Sequence, residues 1–300
     1  MFVVLGATGN TGAAAVKTLL AKNAKVRAVG RDTAKIQQIL GNSVEPFVAD
    51  IYDAASLGKA FEGADGAYVM LPPRIKEPDL LASGVKMSDA IAAALKESTV
   101  KRVVVLSSIG AQHDKKTGPI LALHDFEQKL AMVNGKDFLI LRPATFMENL
   151  LMLIGLIKSM GFVAGGIKGN LKLPMIAARD IGEAAGNELL SGSFTGKEIR
   201  ELLGERDISF DETAHAIGVE IGKPKLSYQN FPNFLVEQAL RQMGLSGKTA
   251  SLMTELNNAA NDGLLNATQP RNEKTTTPTS IETWAKEVFL PAYNAKTALA

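Results

Sequence analysis

Phe2-Val3-Val4-Leu5-Gly6-Ala7-Thr8-Gly9-Asn10-Thr11-Gly12 is the stretch that decides the reading of this chain. Four apolar residues run straight into three glycines at three-residue spacing, and a helical pattern follows. A buried strand that ends in a glycine turn and opens a helix makes an anion site. The N–H groups of the turn and the unpaired N–H groups of the helix's first turn converge on one place. Gly6 permits the tight turn, Gly9 lets a pyrophosphate approach the backbone, and Gly12 lets the helix lie close on the strand. The spacing, G-x-x-G-x-x-G, is one residue wider than the usual G-x-G-x-x-G. Three glycines in an ordinary strand-turn-helix can also be chemically idle. The apolar strand before them and the helix after them favour a dinucleotide site.

Outward from this stretch, strands and helices alternate. Strand-like runs fall at residues 2–5, 25–29, 45–49, 66–71, 102–107 and 137–141, with helical patterns near 11–22, 33–40, 54–62, 79–97 and 120–133. Apolar strands separated by crossover helices form a parallel sheet covered on both faces. Right-handed crossovers make it doubly wound, with ligands beyond the carboxyl ends of the strands. The predicted fold is therefore α/β: a doubly wound parallel-sheet Rossmann fold over residues 1–150. A smaller, mainly helical C-terminal cap spans 151–300 and partly returns to the first domain.

In that second part, 179–190 reads as a helix and 197–203 as a strand. Residues 209–221 read as a helix opened by the capping box Ser209-Phe-Asp-Glu212 and stopped by Gly222 and Pro224. Helices are expected at 232–243 and 247–261, and a last one behind a second box, Thr279-Ser-Ile-Glu282. The apolar run from Leu150 to Ile167 is interrupted by Lys158 and by Gly155, Gly161, Gly165 and Gly166, so it cannot supply about 20 continuous apolar residues for a membrane span. It reads as a buried helix followed by a glycine-rich turn.

Three hundred residues with 46% hydrophobic content can bury a large core. A net charge of +2 with scattered basic residues gives no nucleic-acid surface. The chain has no cysteine, which removes disulfides, thiolate nucleophiles and cysteine-ligated zinc and fits a reducing, cytoplasmic setting. No basic, apolar leader precedes the first strand, so no secretory signal is read. No His/Asp/Glu cluster has metal-ligand spacing, and there is no nucleophile elbow.

The second strand ends in Val29-Gly30-Arg31-Asp32, where an adenine ribose would lie. An acid at the tip would hold the ribose hydroxyls of NAD, whereas Gly30 followed by Arg31 suits a 2′-phosphate. Asp32 reads either as that acid or as the N-cap of the next helix. The balance favours NADP(H). Asp50 closes the third strand near the adenine position, as an acceptor for its amino group or as a turn cap. Leu71, Pro72 and Pro73 close the fourth. Ser107 closes the fifth, facing the nicotinamide position or capping a turn. His124 lies on the following helix, either as a proton donor to a substrate or as a locally bonded helix residue. His113 and His215 read as structural or exposed.

With Leu141-Arg-Pro143-Ala-Thr-Phe146-Met-Glu148-Asn149 and Val-Arg-Ala-Val-Gly30-Arg31, the glycine motif and the His124 helix resemble the NmrA-like branch of atypical short-chain dehydrogenases. The likeness is strong over 1–150 and looser over 179–225 and 270–293. It implies that Gly6, Thr8, Gly9, Asn10, Thr11 and Gly12 hold the pyrophosphate and Arg31 the 2′-phosphate. It further implies that Asp50 lies near the adenine, Leu71 and Pro72 near the ribose, and Ser107, His124, Pro143 and Phe146 near the nicotinamide. The wider superfamily uses Tyr-x-x-x-Lys, and here His124 and Gln128 stand at those positions. Relatives include NADPH-dependent quinone and dye reductases as well as redox-sensing regulators. The expectation is a reductase acting on a small electron-poor molecule in a pocket built from Phe146, Met147, Leu150 and the cap. The second reading is a non-enzymatic NADP(H) sensor with a regulatory protein partner. Either is compatible with a homodimer, and neither calls for nucleic acid or a membrane.

Overall fold

The structure, a computed structural model, describes residues 1–295. The opening run is β1 (Phe2–Leu5), whose Val3, Val4 and Leu5 are buried on both faces of the sheet. After it come α1 (Asn10–Ala21), β2 (Val26–Gly30), α2 (Thr33–Leu40), β3 (Glu45–Val48), α3 (Ala54–Phe61) and β4 (Gly66–Met70). Then follow α4 (Leu80–Glu97), β5 (Arg102–Leu106), α5 (Leu121–Ala131) and β6 (Asp137–Pro143). The later half holds β7 (Thr145–Phe146), α6 (Ile154–Met160), β8 (Val163–Gly165), β9 (Leu173–Ile176), α7 (Ala178–Ser191) and β10 (Lys197–Leu202). It continues with β11 (Asp207–Ile208), α8 (Phe210–Glu220), β12 (Tyr228–Asn230), α9 (Asn233–Gln242), α10 (Gly247–Asn261) and α11 (Ile281–Trp284).

Seven strands form one sheet in the order β10-β6-β5-β4-β1-β2-β3, every pair parallel. Alternate residues serve its two faces. Val4, Tyr68, Val104, Leu106, Leu139 and Leu141 pack with Val16 and Leu19 of α1 and Ile181 and Leu189 of α7. Val3, Leu5, Val69, Val103, Val105 and Ile140 pack with Phe61, Ile91, Leu95 and Phe126 of α3, α4 and α5. The doubly wound α/β architecture is thus what the alternation of strand and helix predicts.

Glycines set how closely α7 lies on α1. A methyl placed on Gly182 would stand 2.3 Å from the Thr11 carbonyl oxygen, and one on Gly186 would stand 2.8 Å from Thr18 Cβ. The strand expected at 197–203 extends the main sheet. Its outer edge is closed by the Gln269 amide, which donates to the Ile199 carbonyl (3.0 Å) and accepts from the Glu201 N–H (3.0 Å). These are the groups a further strand would use.

The cap has its own core of Ile157, Ile208, Ile217, Trp284 and Phe289. Here the sequence reading needs two corrections. Residues 147–153 form a 3-10 helix that leads into the short α6, and of residues 150–160 only Leu150 and Ile157 are buried. The run is therefore no buried helix; Gly161, at φ 78°, ends it and β8 pairs with β12. The last capping box shifts by one residue. Ser280 is the N-cap and accepts from Thr283 N–H, while Thr279 is turned to Asp180, which accepts from its N–H (3.0 Å) and hydroxyl (2.6 Å). The earlier box stands as read, with Ser209 and Glu212 capping one another. Among the described residues, no helix is long and apolar enough to cross a membrane.

Candidate functional site

The chain leaves β1 toward β2 and β3, then crosses back to β4 and works outward on the other side. The crevice above β1 and β4 is therefore the topological switch point, where open α/β sheets take their ligands. The glycine turn lies at its floor. Gly6 sits at φ +65°, which L side chains rarely adopt, and the Gly9 N–H donates to the Gly6 carbonyl at 2.9 Å. Gly9 is the N-cap of α1 and supplies no side-chain acceptor, so the first-turn N–H groups are not capped from that side. Gly9 and Asn10 are exposed and Thr8 is half-buried, so this helix end opens outward. A methyl on Gly12 would lie 2.3 Å from the Gly6 carbonyl oxygen; only a bare backbone lets α1 start this close to the turn. The Thr11 hydroxyl faces inward and accepts from the Tyr68 hydroxyl at 2.9 Å. Burial pushes the Tyr68 phenol pKa up, which keeps it a donor. Thr11 can thus offer an anion its backbone N–H. This end fits a pyrophosphate.

At the tip of β2, Arg31 is exposed and makes no hydrogen bond or ion pair among the described residues. Asp32 caps α2, its Oδ1 accepting from the N–H groups of Ala34 (2.8 Å) and Lys35 (3.3 Å). Gly30 has a packing reason of its own, since a methyl there would stand 3.2 Å from Ile36 Cδ1. Asp50 is exposed and caps its turn, with Oδ1 accepting from Tyr52 N–H at 3.0 Å. Leu71 and Pro72 are half-buried at the exit of β4. Just beyond them the Arg74 guanidinium lies 5.5 Å from the centre of the Tyr52 ring, joining the loops after β3 and β4.

At the exit of β5 the Ser107 hydroxyl donates to Glu127 Oε1 at 2.5 Å. Arg142 grips the same carboxylate with two nitrogens, Nε to Oε1 (3.0 Å) and Nη2 to Oε2 (2.5 Å), and all three residues are buried. His124, half-buried, places Nδ1 at 2.8 Å from the Ala111 carbonyl oxygen. A carbonyl only accepts, so Nδ1 carries the hydrogen and Nε2 is the nitrogen left to act. Gln128 is exposed. Pro143 is buried and Phe146 half-buried, while Met147 and Leu150 are 2% and 4% exposed inside the cap core. Of the apolar residues expected to line a pocket, Met147 and Leu150 are spent on holding the cap together. His113 meets Gln112 at 3.3 Å, and His215 is exposed on α8.

Glu127 and Arg142 are the residues that sequence reasoning did not single out. The signal was present in their spacing: Glu127 falls three positions after His124 on one helix face, and Arg142 falls next to Ser107 across the β5–β6 register.

α10 joins the loop after β4 to the loop after β5. Ser246 and Thr249, at the start of α10, donate to the carbonyls of Pro78 (2.9 Å) and Glu77 (3.4 Å). Further along, Glu255 accepts from Gly118 N–H (3.2 Å), and a methyl on Gly118 would stand 2.1 Å from the Leu252 carbonyl oxygen. Among the described residues, no group of three or more His, Asp or Glu could hold a metal ion. The arrangement offers an anion cradle of backbone N–H groups, a guanidinium unpaired among the described residues beside it, and an imidazole whose Nδ1 hydrogen is held by a carbonyl at the far end.

The NmrA-like family matches residues 1–285, and the chain belongs to that family. It is 29% identical over 300 residues to prestalk A differentiation protein A of Dictyostelium discoideum, covering 96% of this chain and 92% of that one. It is 28% identical over 256 residues to the NAD(P)H azoreductase of Xenophilus azovorans, covering 85% and 86%. Among solved structures, the NADPH-dependent quinone oxidoreductase of Escherichia coli, complexed with NADPH, superposes with a TM-score of 0.82. That likeness covers 96% of this chain and all of the other at 21% identity, and it is one of fold.

Proposed function

We propose that this member of the NmrA-like family is an NADPH-dependent oxidoreductase that passes hydride to a small, flat, electron-poor acceptor such as a quinone. The observation that carries the reading is the start of α1 at the switch point: a glycine turn, a helix end without a side-chain cap, and Arg31 unpaired nearby. The NADPH-dependent quinone oxidoreductase of the same fold and the NAD(P)H azoreductase support it.

On this reading the backbone of Gly6, Thr8, Gly9, Asn10, Thr11 and Gly12 holds the pyrophosphate, and Arg31 holds the 2′-phosphate. Asp50 faces the adenine with its remaining carboxylate oxygen, and Leu71 and Pro72 contact the ribose. Ser107, Pro143 and Phe146 border the nicotinamide. Residues 1–150 carry the cofactor, α7 and β10 complete that domain, and the cap elements within residues 151–295 close over the acceptor. NADPH, when bound, would supply a hydride, and the acceptor oxygen would then need a proton. His124, in its imidazolium form, donates the Nε2 proton to that oxygen, while Ala111 keeps the Nδ1 hydrogen in place throughout. The Ser107 hydroxyl donates its hydrogen bond to Glu127, so toward the site its oxygen can only accept. Quinones take hydride with little protonation in advance, which suits a site without the superfamily's Tyr and Lys. The setting is a reducing cytoplasm.

The test is NADPH consumption across quinones, azo dyes, triphenylmethane dyes and aldehydes. Turnover is expected with quinones or dyes and not with aldehydes. His124→Ala should lower kcat about 10²-fold, the low end of general-acid effects, with NADPH affinity unchanged. A wild-type protein that binds NADPH yet consumes none with any acceptor would overturn the reductase. The chain would then read as an NADP(H) sensor acting through a protein partner.

A further inference from the structure

Glu127 and Arg142 form an ion pair with side chains only 6% and 11% exposed. Pairs this buried add little to stability, because desolvation offsets their attraction, and apolar replacements of similar volume often do as well. Geometry is what such a pair adds. Every acceptor position that Glu127 uses is met from the sheet: Oε1 by Ser107 and Arg142, Oε2 by Arg142. Ser107 and Arg142 are themselves neighbours, one residue beyond the paired Leu106 and Leu141. A two-pronged guanidinium contact fixes direction, whereas an apolar contact can slide. His124 lies one turn before Glu127 on the same face of α5, so the rotation that Glu127 fixes is the rotation that aims the imidazole.

We propose that Glu127 and Arg142 are positioning residues for His124: their buried pair, tied to Ser107, locks the rotation of α5 so that the Ala111 carbonyl can hold the Nδ1 hydrogen and leave Nε2 facing the acceptor. The catalytic part rests on the reading of His124 as proton donor; the tautomer part stands without it. On its other flank, α5 is held by Lys129, which pairs with Asp125 (2.9 Å) and Asp89 (2.5 Å) at partly exposed positions. That cluster faces α4 and supplies a control on the same helix.

The experiment reads the His124 tautomer by nitrogen-15 NMR in the protein without cofactor, its signals assigned by their loss in His124→Gln. Wild type should show one tautomer, with hydrogen on Nδ1. The triple variant Ser107→Ala, Glu127→Leu, Arg142→Met removes the lock without stranding a charge or a hydroxyl, and both tautomers should appear. Arg142→Lys keeps the charge, loses the two-pronged grip and should mix the tautomers as well, which covers a triple variant that fails to fold. Lys129→Met should leave the wild-type spectrum. With NADPH and a working acceptor, Arg142→Lys, which leaves Ser107 in place, should lose about tenfold in kcat with KM for NADPH unchanged. A folded Arg142→Lys or triple variant with the single wild-type tautomer overturns the proposal, as does tautomer mixing in Lys129→Met. Mixed tautomers with undiminished turnover would uphold the positioning and remove His124 from the chemistry.

Discussion

At the floor of the crevice the closest contacts are backbone against backbone, whereas several joints of the cap are made by side chains far apart in sequence. Gly12 lies over the Gly6 carbonyl, and Gly182 lies over that of Thr11, each where a methyl would stand 2.3 Å away. In the cap, Glu148 accepts from the Trp284 indole (3.0 Å) and from Ala178 N–H (2.9 Å). Asn261 accepts from Lys168 N–H (2.8 Å) and donates to the Gly166 carbonyl (2.9 Å), and Asn233 donates to Asn258 (2.6 Å). Backbone contact leaves one residue type per position, and where the partner is near in the chain, as Gly6 is to Gly12, it is written into the local sequence. A side-chain joint can be made by several residue types, and its partner lies scores of residues away.

That difference orders the expected effects of substitution. The largest belongs to Gly12→Ala, where the added methyl meets main chain that cannot swing aside. Overpacking typically costs 1–3 kcal/mol and occasionally more, and about 3 kcal/mol is expected here. Thermal unfolding measures it; a melting temperature equal to that of wild type would break the comparison. Next is Arg31→Ala. Losing a charge-assisted phosphate contact should weaken NADPH binding by about 1.5–3 kcal/mol and leave NADH binding nearly unchanged. Titration of both cofactors decides it, and equal losses would move the discrimination away from this side chain.

In the cap, Glu148→Gln leaves one acceptor oxygen for two donors, at a cost of about 1–2 kcal/mol. Burial raises the Glu148 pKa above the ordinary carboxylate value, against the hydrogen bonds that lower it. An acid whose folded pKa is raised binds more protons in the folded state, so its stabilising contribution is full at low pH and falls as pH rises through the folded value. The melting-temperature gap between wild type and Glu148→Gln should therefore narrow from about pH 4 upward. A gap that widens would reverse the assignment. The smallest effect is expected for Asn233→Ala, about 0.5–1.5 kcal/mol, with faster amide exchange in α9 and none in the sheet.

The six strands of the first half were legible to within a residue or two, because each is an apolar run bounded by a helix that must cross back over the sheet. Asp32 and Ser209 were legible as caps for the same local reason. Thr279 was not. It has the sequence of an N-cap, but Asp180 competes for it from far along the chain, and Ser280 takes the cap. Leu150–Ile167 misled because apolar content was read as burial, while its glycines end the helix early. Glu127 looked like any acid on a solvated helix. Only the register of β5 and β6, which brings Ser107 and Arg142 side by side beneath it, turns that acid inward.

Gly9 separates the two kinds of contact most cleanly. A methyl there would touch only the Gly6 carbonyl oxygen, at 3.3 Å, which is tight but not prohibitive, and the residue has an extended backbone that any side chain can adopt. Its bare surface is needed for what approaches from outside. The direct measurement is NADPH titration of Gly9→Val beside wild type, with thermal unfolding on the same samples. A melting temperature near that of wild type together with no measurable NADPH binding is the expected result. A folded Gly9→Val protein that binds NADPH as wild type does would contradict the central claim that this turn is the cofactor cradle.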